Sequence, residues 1–295
     1  MIDVLCIGHA AFDISMSVEK HPDADEKLQA DFMQSCGGGP AANASVQVVR
    51  LGGSSAFCGY LGNDLYGDAH AAEFEAEGVD LSYLVRGSHP SSISQILAKP
   101  DGSRSLVNYK GETPWLAADE VDLSSLNPKV ILFDGHEPRI SEKVMDWAMA
   151  HDIPTVLDAG SLHRGTESLA MKVTYLVASS KFACQFCGTD EMDAALKMLA
   201  DKRDDVVITV GDQGLIWAKD GDTGLLEAFK VDAVDSTGAG DAFHGAFALG
   251  VARGMEWGDL LRFASAAGAL TCTRLGAREG IPDGPAVDRL LKVGR

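Results

Sequence analysis

The amino-acid sequence predicts a three-layer α/β/α fold with a mainly parallel central sheet and a small β-sheet lid. Short apolar runs alternate with helix-like stretches from the first residues onward. Strands separated by helices pair in parallel through right-handed crossovers. Two stretches, about 13–35 and 90–112, leave that rhythm for period-two alternation and then return to it. Antiparallel pieces placed this way make one small sheet beside the main one, read here as a lid over a site. All 295 residues are read as a single domain containing that lid.

The elements follow in order. IDVLCIG reads as a buried strand ending in glycine, and PAANASVQVVRLG as a helix closed by Gly52. SSAFCGYLG is the next strand and GDAHAAEFEAEGV the next helix. SSISQILAKPDGSRSLVNYK alternates around Pro100-Asp101-Gly102, a hairpin signal. VILFDG (130–135), a helix near 141–151, TVLDAG (155–160), YLVAS (175–179), a helix near 189–200 and VVITVG (206–211) continue the alternation. IWAKDGDTGLLEAFKV (216–231) reads as a hairpin, and DAFHGAFALGVARG and WGDLLRFASAAGALTCT as helices.

Composition excludes several function classes. A net charge of −18 argues against a nucleic-acid binder, whose affinity rests on Lys and Arg at phosphates. No apolar run approaches the roughly 20 residues that span a bilayer, and MIDVLCIG lacks the basic start of a signal peptide. Six scattered cysteines then read as free thiols in a reducing cytoplasm. Cys184 and Cys187 have CxxC spacing, but no second pair accompanies them, so a zinc site is not expected.

The chemistry concentrates at VDAVDSTGAGDAFHGAFALG (231–250). The first N–H groups of a helix have no partner within it and carry the positive end of its dipole. Glycines ahead of such a helix let an anion approach the backbone, so Gly238, Ala239 and Gly240 form a phosphate-type turn. A mere anion site would avoid the next residue, Asp241. A carboxylate there suits an alcohol that must lose its proton while attacking a γ-phosphate. As a helix N-terminal residue it would also stabilise the helix, and the residues alone leave both readings open. The dipeptide Gly-Lys never occurs, which removes the P-loop alternative. Phe243 stands where GxGxxG would need its third glycine.

DSTGAGD, from Asp235 to Asp241, resembles the C-terminal signature of the ribokinase/PfkB family of carbohydrate kinases. IGHAAFD with Asp13, CGGGPAANA (36–44), TVGDQG (209–214) and TRLGAREGIP (273–282) resemble further motifs of that family, in order and over most of the chain. The resemblance implies transfer of the ATP γ-phosphate to a sugar hydroxymethyl group, with Asp241 as base and the Gly238–Gly240 amides as anion hole. It places Asp13, Gly38, Gly39 and Asn43 at the sugar, Asn43 standing one position later than the usual asparagine. Ser179, Thr209, Gly211, Gly214, Gly240 and Gly276 would line the nucleotide, and Asp235 is the candidate for a monovalent cation such as K⁺. Magnesium is expected with ATP, although Ser179 and Phe182 occupy the places of the family's Asn-x-x-Glu. A homodimer through the lid is also implied.

GGGPAA, VNY (107–109), FDGHEP (133–138) and LDAGS (157–161) resemble the sulfofructose kinase and ketohexokinase-like branch. Lys27, read as lying in the first lid strand, and Asn108 match that branch's sulfonate contacts. His136, with Arg139 nearby, stands where that branch has an arginine. A histidine is mostly neutral near pH 7, which turns the reading toward a neutral ketose. Arg164 resembles an arginine that reaches an ATP phosphate. The sequence therefore predicts an ATP-dependent kinase of a ketose or ketose derivative. The alternatives are a nucleoside or other small-alcohol kinase and a non-catalytic sugar sensor.

Overall fold

The structure is a computed structural model and describes residues 1–99 and 104–293, apart from the side chain of Leu123. The Pro100-Asp101-Gly102 turn lies outside the described residues. The elements are β1 (Ile2–Ile7), β2 (Ala11–Ser17), β3 (Phe32–Gly38), α1 (Pro40–Arg50), β4 (Ser55–Gly62), α2 (Leu65–Glu77), β5 (Asp80–Gly87), β6 (Ser92–Ala98) and β7 (Arg104–Tyr109). They continue with β8 (Pro128–Phe133), α3 (Pro138–Ala150), β9 (Thr155–Ala159), α4 (Arg164–Ala170), β10 (Tyr175–Ser179), α5 (Ser180–Cys187), α6 (Met192–Ala200) and β11 (Asp205–Thr209). β12 (Leu215–Lys219), β13 (Asp222–Leu226), α7 (Ala239–Ala252), α8 (Trp257–Thr271), α9 (Ala277–Gly280) and α10 (Gly284–Val293) complete the chain.

Nine strands form the main sheet in the order β13-β12-β11-β10-β9-β8-β1-β4-β5. It is parallel from β11 to β5 and antiparallel at β12 and β13, where the hairpin turns back. Its central strands are apolar at successive positions because both faces are covered. Val4, Cys6, Val130, Leu132 and Val177 enter the core shared with α1, α7 and α8. Leu5, Ile7, Ile131, Phe133 and Leu176 enter the core shared with α3 to α6. The three-layer expectation is met.

A second sheet of four strands runs β3-β2-β6-β7. Its register aligns Cys36, Asp13, Ser94 and Asn108 in one row across the strands. Side chains of such a row share a face. Two residues along, Gln34, Ser15, Ile96 and Leu106 form the next row on that face.

Several elements were not foreseen. β5 was hidden because its polar-rich sequence, DLSYLVRG, sits at the sheet edge. α4 and α5 are one to two turns each, too short for periodicity to declare them. Lys27 is corrected: it is exposed in the connection between β2 and β3, not in a strand. α5 contains Cys184 and Cys187, both free.

Candidate active site

Ligands of open α/β sheets bind at the carboxyl ends of the strands, and here sheet order becomes site order. Thr209 ends β11 and Gly211 follows it, Ser179 ends β10, Asp158 lies on β9, Asp134 and His136 follow β8, and His9 follows β1. The chain then enters β2 of the small sheet, with Asp13.

Over the middle strands of this row lies the turn into α7. Asp235 folds it: Oδ1 accepts from the Thr237 N–H at 2.9 Å and the Thr237 hydroxyl at 2.6 Å, and Oδ2 accepts from the Gly276 N–H at 2.9 Å. Arg104 reaches across from β7, its Nη1 3.3 Å from Asp235 Oδ1 and also bonded to Thr237 Oγ1. These donors hold the Asp235 carboxyl below its ordinary range despite burial. Gly238 has φ +78°, and a Cβ there would stand 2.7 Å from Ala277 Cβ, so the position needs glycine twice over. Around Gly240 a Cβ would meet nothing within 4 Å, which leaves the start of α7 open.

Asp241 sits in the first turn of α7, and its Oδ2 accepts a 2.8 Å bond from Asn43 Nδ2 of α1. The shift of Asn43 by one position thus does not keep it from the site. Burial raises the Asp241 carboxyl above the ordinary range, the Asn43 bond and His244 pull it back, Asp134 pushes it up and Arg104 opposes. Behind it, His244 is buried, with Nδ1 2.6 Å from the Gly240 carbonyl and 3.3 Å from Asp158 Oδ2. Burial drives Asp158 well up and His244 down, the Val177 and Gly240 carbonyls opposing the shift of the histidine.

Asp13 is buried against Gly38, where any Cβ would overlap its carboxylate. Burial and then the Asp241 charge push Asp13 up to about 6, against a Ser94 hydrogen bond and the charges of Arg278 and Arg104. Asn108 shares its row beyond Ser94. Gly39, at φ +102°, lets the backbone pass His9 before α1 begins at Pro40.

A second group, after β8 and β1, is built around Asp134, which is buried and accepts from three backbone amides: His9 at 2.7 Å, Ala41 at 3.2 Å and His136 at 2.8 Å. One carboxylate therefore ties β1, α1 and β8 together. Three imidazoles pack beside it, His136 stacked on His163 at 4.6 Å and tilted against His9 at 5.4 Å. Burial pushes His9 down to about 4, helped by His136 and Lys110 and opposed by Asp134. Burial also lowers His163, with His136 adding to it. Burial pushes Glu137 up to about 7, although the Leu116 amide and Lys110 oppose.

Not every expected residue joins these groups. Arg139 is exposed in the first turn of α3, and the cation acting on His9 and Glu137 is Lys110. Arg164 lies over the Trp115 ring at 5.4 Å. Ser179 caps α5, accepting from Phe182 N and donating to Gly160 O. Thr209 Oγ1 bonds Ala178 O at 3.4 Å, and Gly211 and Gly214 have φ +61° and +97°. His9, His163, Lys110, Asp134, Asp158 and His244 were missed as site residues, since they come from separate elements and no spacing joins them.

The donor set was tested against magnesium. Among the described residues no three His, Cys, Asp or Glu side chains gather to hold a metal. At the Asn-x-x-Glu places, the Ser179 hydroxyl is engaged as a cap and Phe182 is fully buried. These residues do not fit a protein-held magnesium.

A helix N-terminus opening on a cleft, with a partly buried carboxylate in its first turn, is arranged for phosphoryl chemistry on an alcohol. The fold and this turn define the class, a phosphotransferase. The pfkB family carbohydrate kinase profile matches residues 1–284, and the chain belongs to that family. It is similar to the ribokinase of Bacillus subtilis, with 29% identity over 99% of this chain and 100% of the relative. It is also similar to fructokinase-1 of Zea mays, with 28% identity over 88% of this chain and 90% of the relative. A crystal structure from Agrobacterium tumefaciens, provisionally assigned as a ribokinase, superimposes with a TM-score of 0.91 at 27% identity, covering 100% of this chain and 99% of that one. The protein is thus a carbohydrate kinase, for which ATP and magnesium are the expected cosubstrates. Among the described residues no helix is long and apolar enough to cross a membrane.

Proposed function

We propose that the chain transfers the γ-phosphoryl group of ATP to a hydroxymethyl group of a neutral ketose. The carrying observation is Asp241 bonded to Asn43 at the open start of α7, within electrostatic reach of Asp13 on the small sheet. Asp241 accepts the hydroxyl proton as the oxygen attacks the γ-phosphorus. The bond from that phosphorus to the β-phosphate oxygen breaks, ADP leaves, and the Gly238, Ala239 and Gly240 amides stabilise the charge on the group in flight. Asp13, Gly38, Gly39, Asn108 and His136 hold the acceptor. Thr209, Gly211, Gly214 and Gly276 line the nucleotide, which brings its own magnesium. We assign Asp235 to closing the turn rather than to holding K⁺.

The lowered pKa values of His9 and His163 leave neutral rings facing the acceptor at pH 7. Neutral imidazoles exchange hydrogen bonds with hydroxyls more readily than they neutralise a sulfonate. The maize fructokinase supports a ketose. A nucleoside is disfavoured because the aligned rows through Asp13 and Ser15 contain no aromatic ring on which a base could stack. ADP release measured over fructose, ribose, a sulfonated ketose and adenosine tests the reading. Fructose is expected to give the highest kcat/KM, and a preference for ribose, adenosine or the sulfonated sugar would overturn it.

A further inference from the structure

His244 is a polar side chain placed where α7 is otherwise apolar, between Phe243 and Ala246, and it is almost wholly buried. A buried imidazole is costly unless its nitrogens are used. Both face acceptors: Nδ1 lies 2.6 Å from Gly240 O and 3.3 Å from Asp158 Oδ2, and Nε2 lies 3.2 Å from Val177 O of β10. An uncharged ring has one N–H. The shorter approach, with two acceptors around it, assigns that proton to Nδ1.

The bond to Gly240 has a mechanical consequence. The Gly240 carbonyl and the Asp241 N–H are the two ends of one planar trans peptide. Drawing the carbonyl down the helix axis aims the amide out of the N-terminus. Gly240 has no neighbour within 4 Å of where a Cβ would be, so beyond the backbone ladder of α7 no side-chain packing sets this peptide. The imidazole supplies what packing lacks, and β9 and β10 supply its anchor.

We propose that His244 is a positioning residue for phosphoryl transfer: through Nδ1 it fixes the Gly240–Asp241 peptide against the sheet, so that the Asp241 amide and carboxylate meet the migrating group. Asp158 holds the ring in that orientation. The proposal rests on Asp241 being the base.

His244→Asn and His244→Gln separate this role from mere packing. An asparagine N–H falls near the Nδ1 position and can still reach Gly240 O, whereas a glutamine N–H falls near Nε2 and reaches Val177 O. His244→Asn should keep kcat within about threefold of the parent, while His244→Gln should lose about ten- to a hundredfold, with both KM values little changed. Hydrogen exchange at the Asp241 amide, followed by NMR, should be faster in His244→Gln than in His244→Asn. Equal kcat and equal exchange in the two variants would overturn the proposal. If the parent transfers no phosphoryl group to any acceptor, the kinase reading fails, and the exchange measurement still decides whether the ring holds the peptide.

Discussion

The two ends of the cleft are built differently. The phosphate end is one stretch of chain, Asp235 to Asp241, folded on itself by Asp235 and backed by Gly276. The acceptor end is assembled from His9 after β1, Asp13 on β2, Lys110 after β7, His136 after β8 and His163 before α4. Their electrostatics differ as well. Asp235 is held below the ordinary carboxylate range by its donors, whereas Asp13 and Glu137 are pushed up to about 6 and 7 by burial. The Asp235 carboxylate of the phosphate end is satisfied within its own turn. The acceptor end holds carboxyls whose charged forms burial disfavours.

The sharpest break between the ends is Asp241→Asn. Asparagine keeps the size and can still bond Asn43, but it cannot take a proton. Turnover should fall about 10²- to 10⁴-fold with ATP binding intact, measured by coupled ADP release and by calorimetry. Unchanged turnover would remove the base and leave Asp241 as a helix N-terminal residue only. Next in size is Asp13→Asn. It should raise the acceptor KM roughly tenfold to a hundredfold and leave the ATP KM nearly unchanged, the expected loss for a charged hydrogen bond. A rise in the ATP KM instead would mean that the two ends are not separate sites.

His136→Ala should act in the same direction but less, raising the acceptor KM about three- to tenfold, because an imidazole makes a weaker bond to a hydroxyl than a carboxylate does. The difference between these two variants follows what could be read from the sequence. The turn around Asp241 was legible because a phosphate cradle needs glycines at fixed places in one segment. Asp13 and Gly38 were legible only through the family motifs that contain them, and the structure supplies the physical reason, a glycine leaving room for the carboxylate. The alternating strands of the main sheet announced the fold. Of the histidine group only His136 was legible: His9 and His163 belong to two other connections that only the parallel sheet order brings beside it. Lys27 and Arg139 were misjudged because nearness in sequence said nothing about which face or loop they occupy. His244 carries no signal of its own within the motif, since an interior helix position normally serves the core.

The smallest expected effects are on stability, and their signs oppose each other. The folded pKa of Asp13 lies above its ordinary value, so the stability linked to it is complete below pH 4 and is lost as pH rises through about 6. Asp13→Asn should therefore stabilise the ligand-free protein at pH 8, by on the order of 2 kcal/mol or a few degrees in Tm, and make little difference at pH 4. The folded pKa of Asp235 lies below its ordinary value, so its contribution is present above pH 4 and is lost on acidification. Asp235→Asn should destabilise by about 1–3 kcal/mol at pH 8 and by less as the pH falls below 4. Thermal melts of the two variants at pH 4 and pH 8 test this directly. Opposite signs at pH 8 would mean that the protein gives up stability at the acceptor end and keeps it at the phosphate end. That is the expected arrangement if the sugar, rather than the fold, satisfies the buried carboxylate.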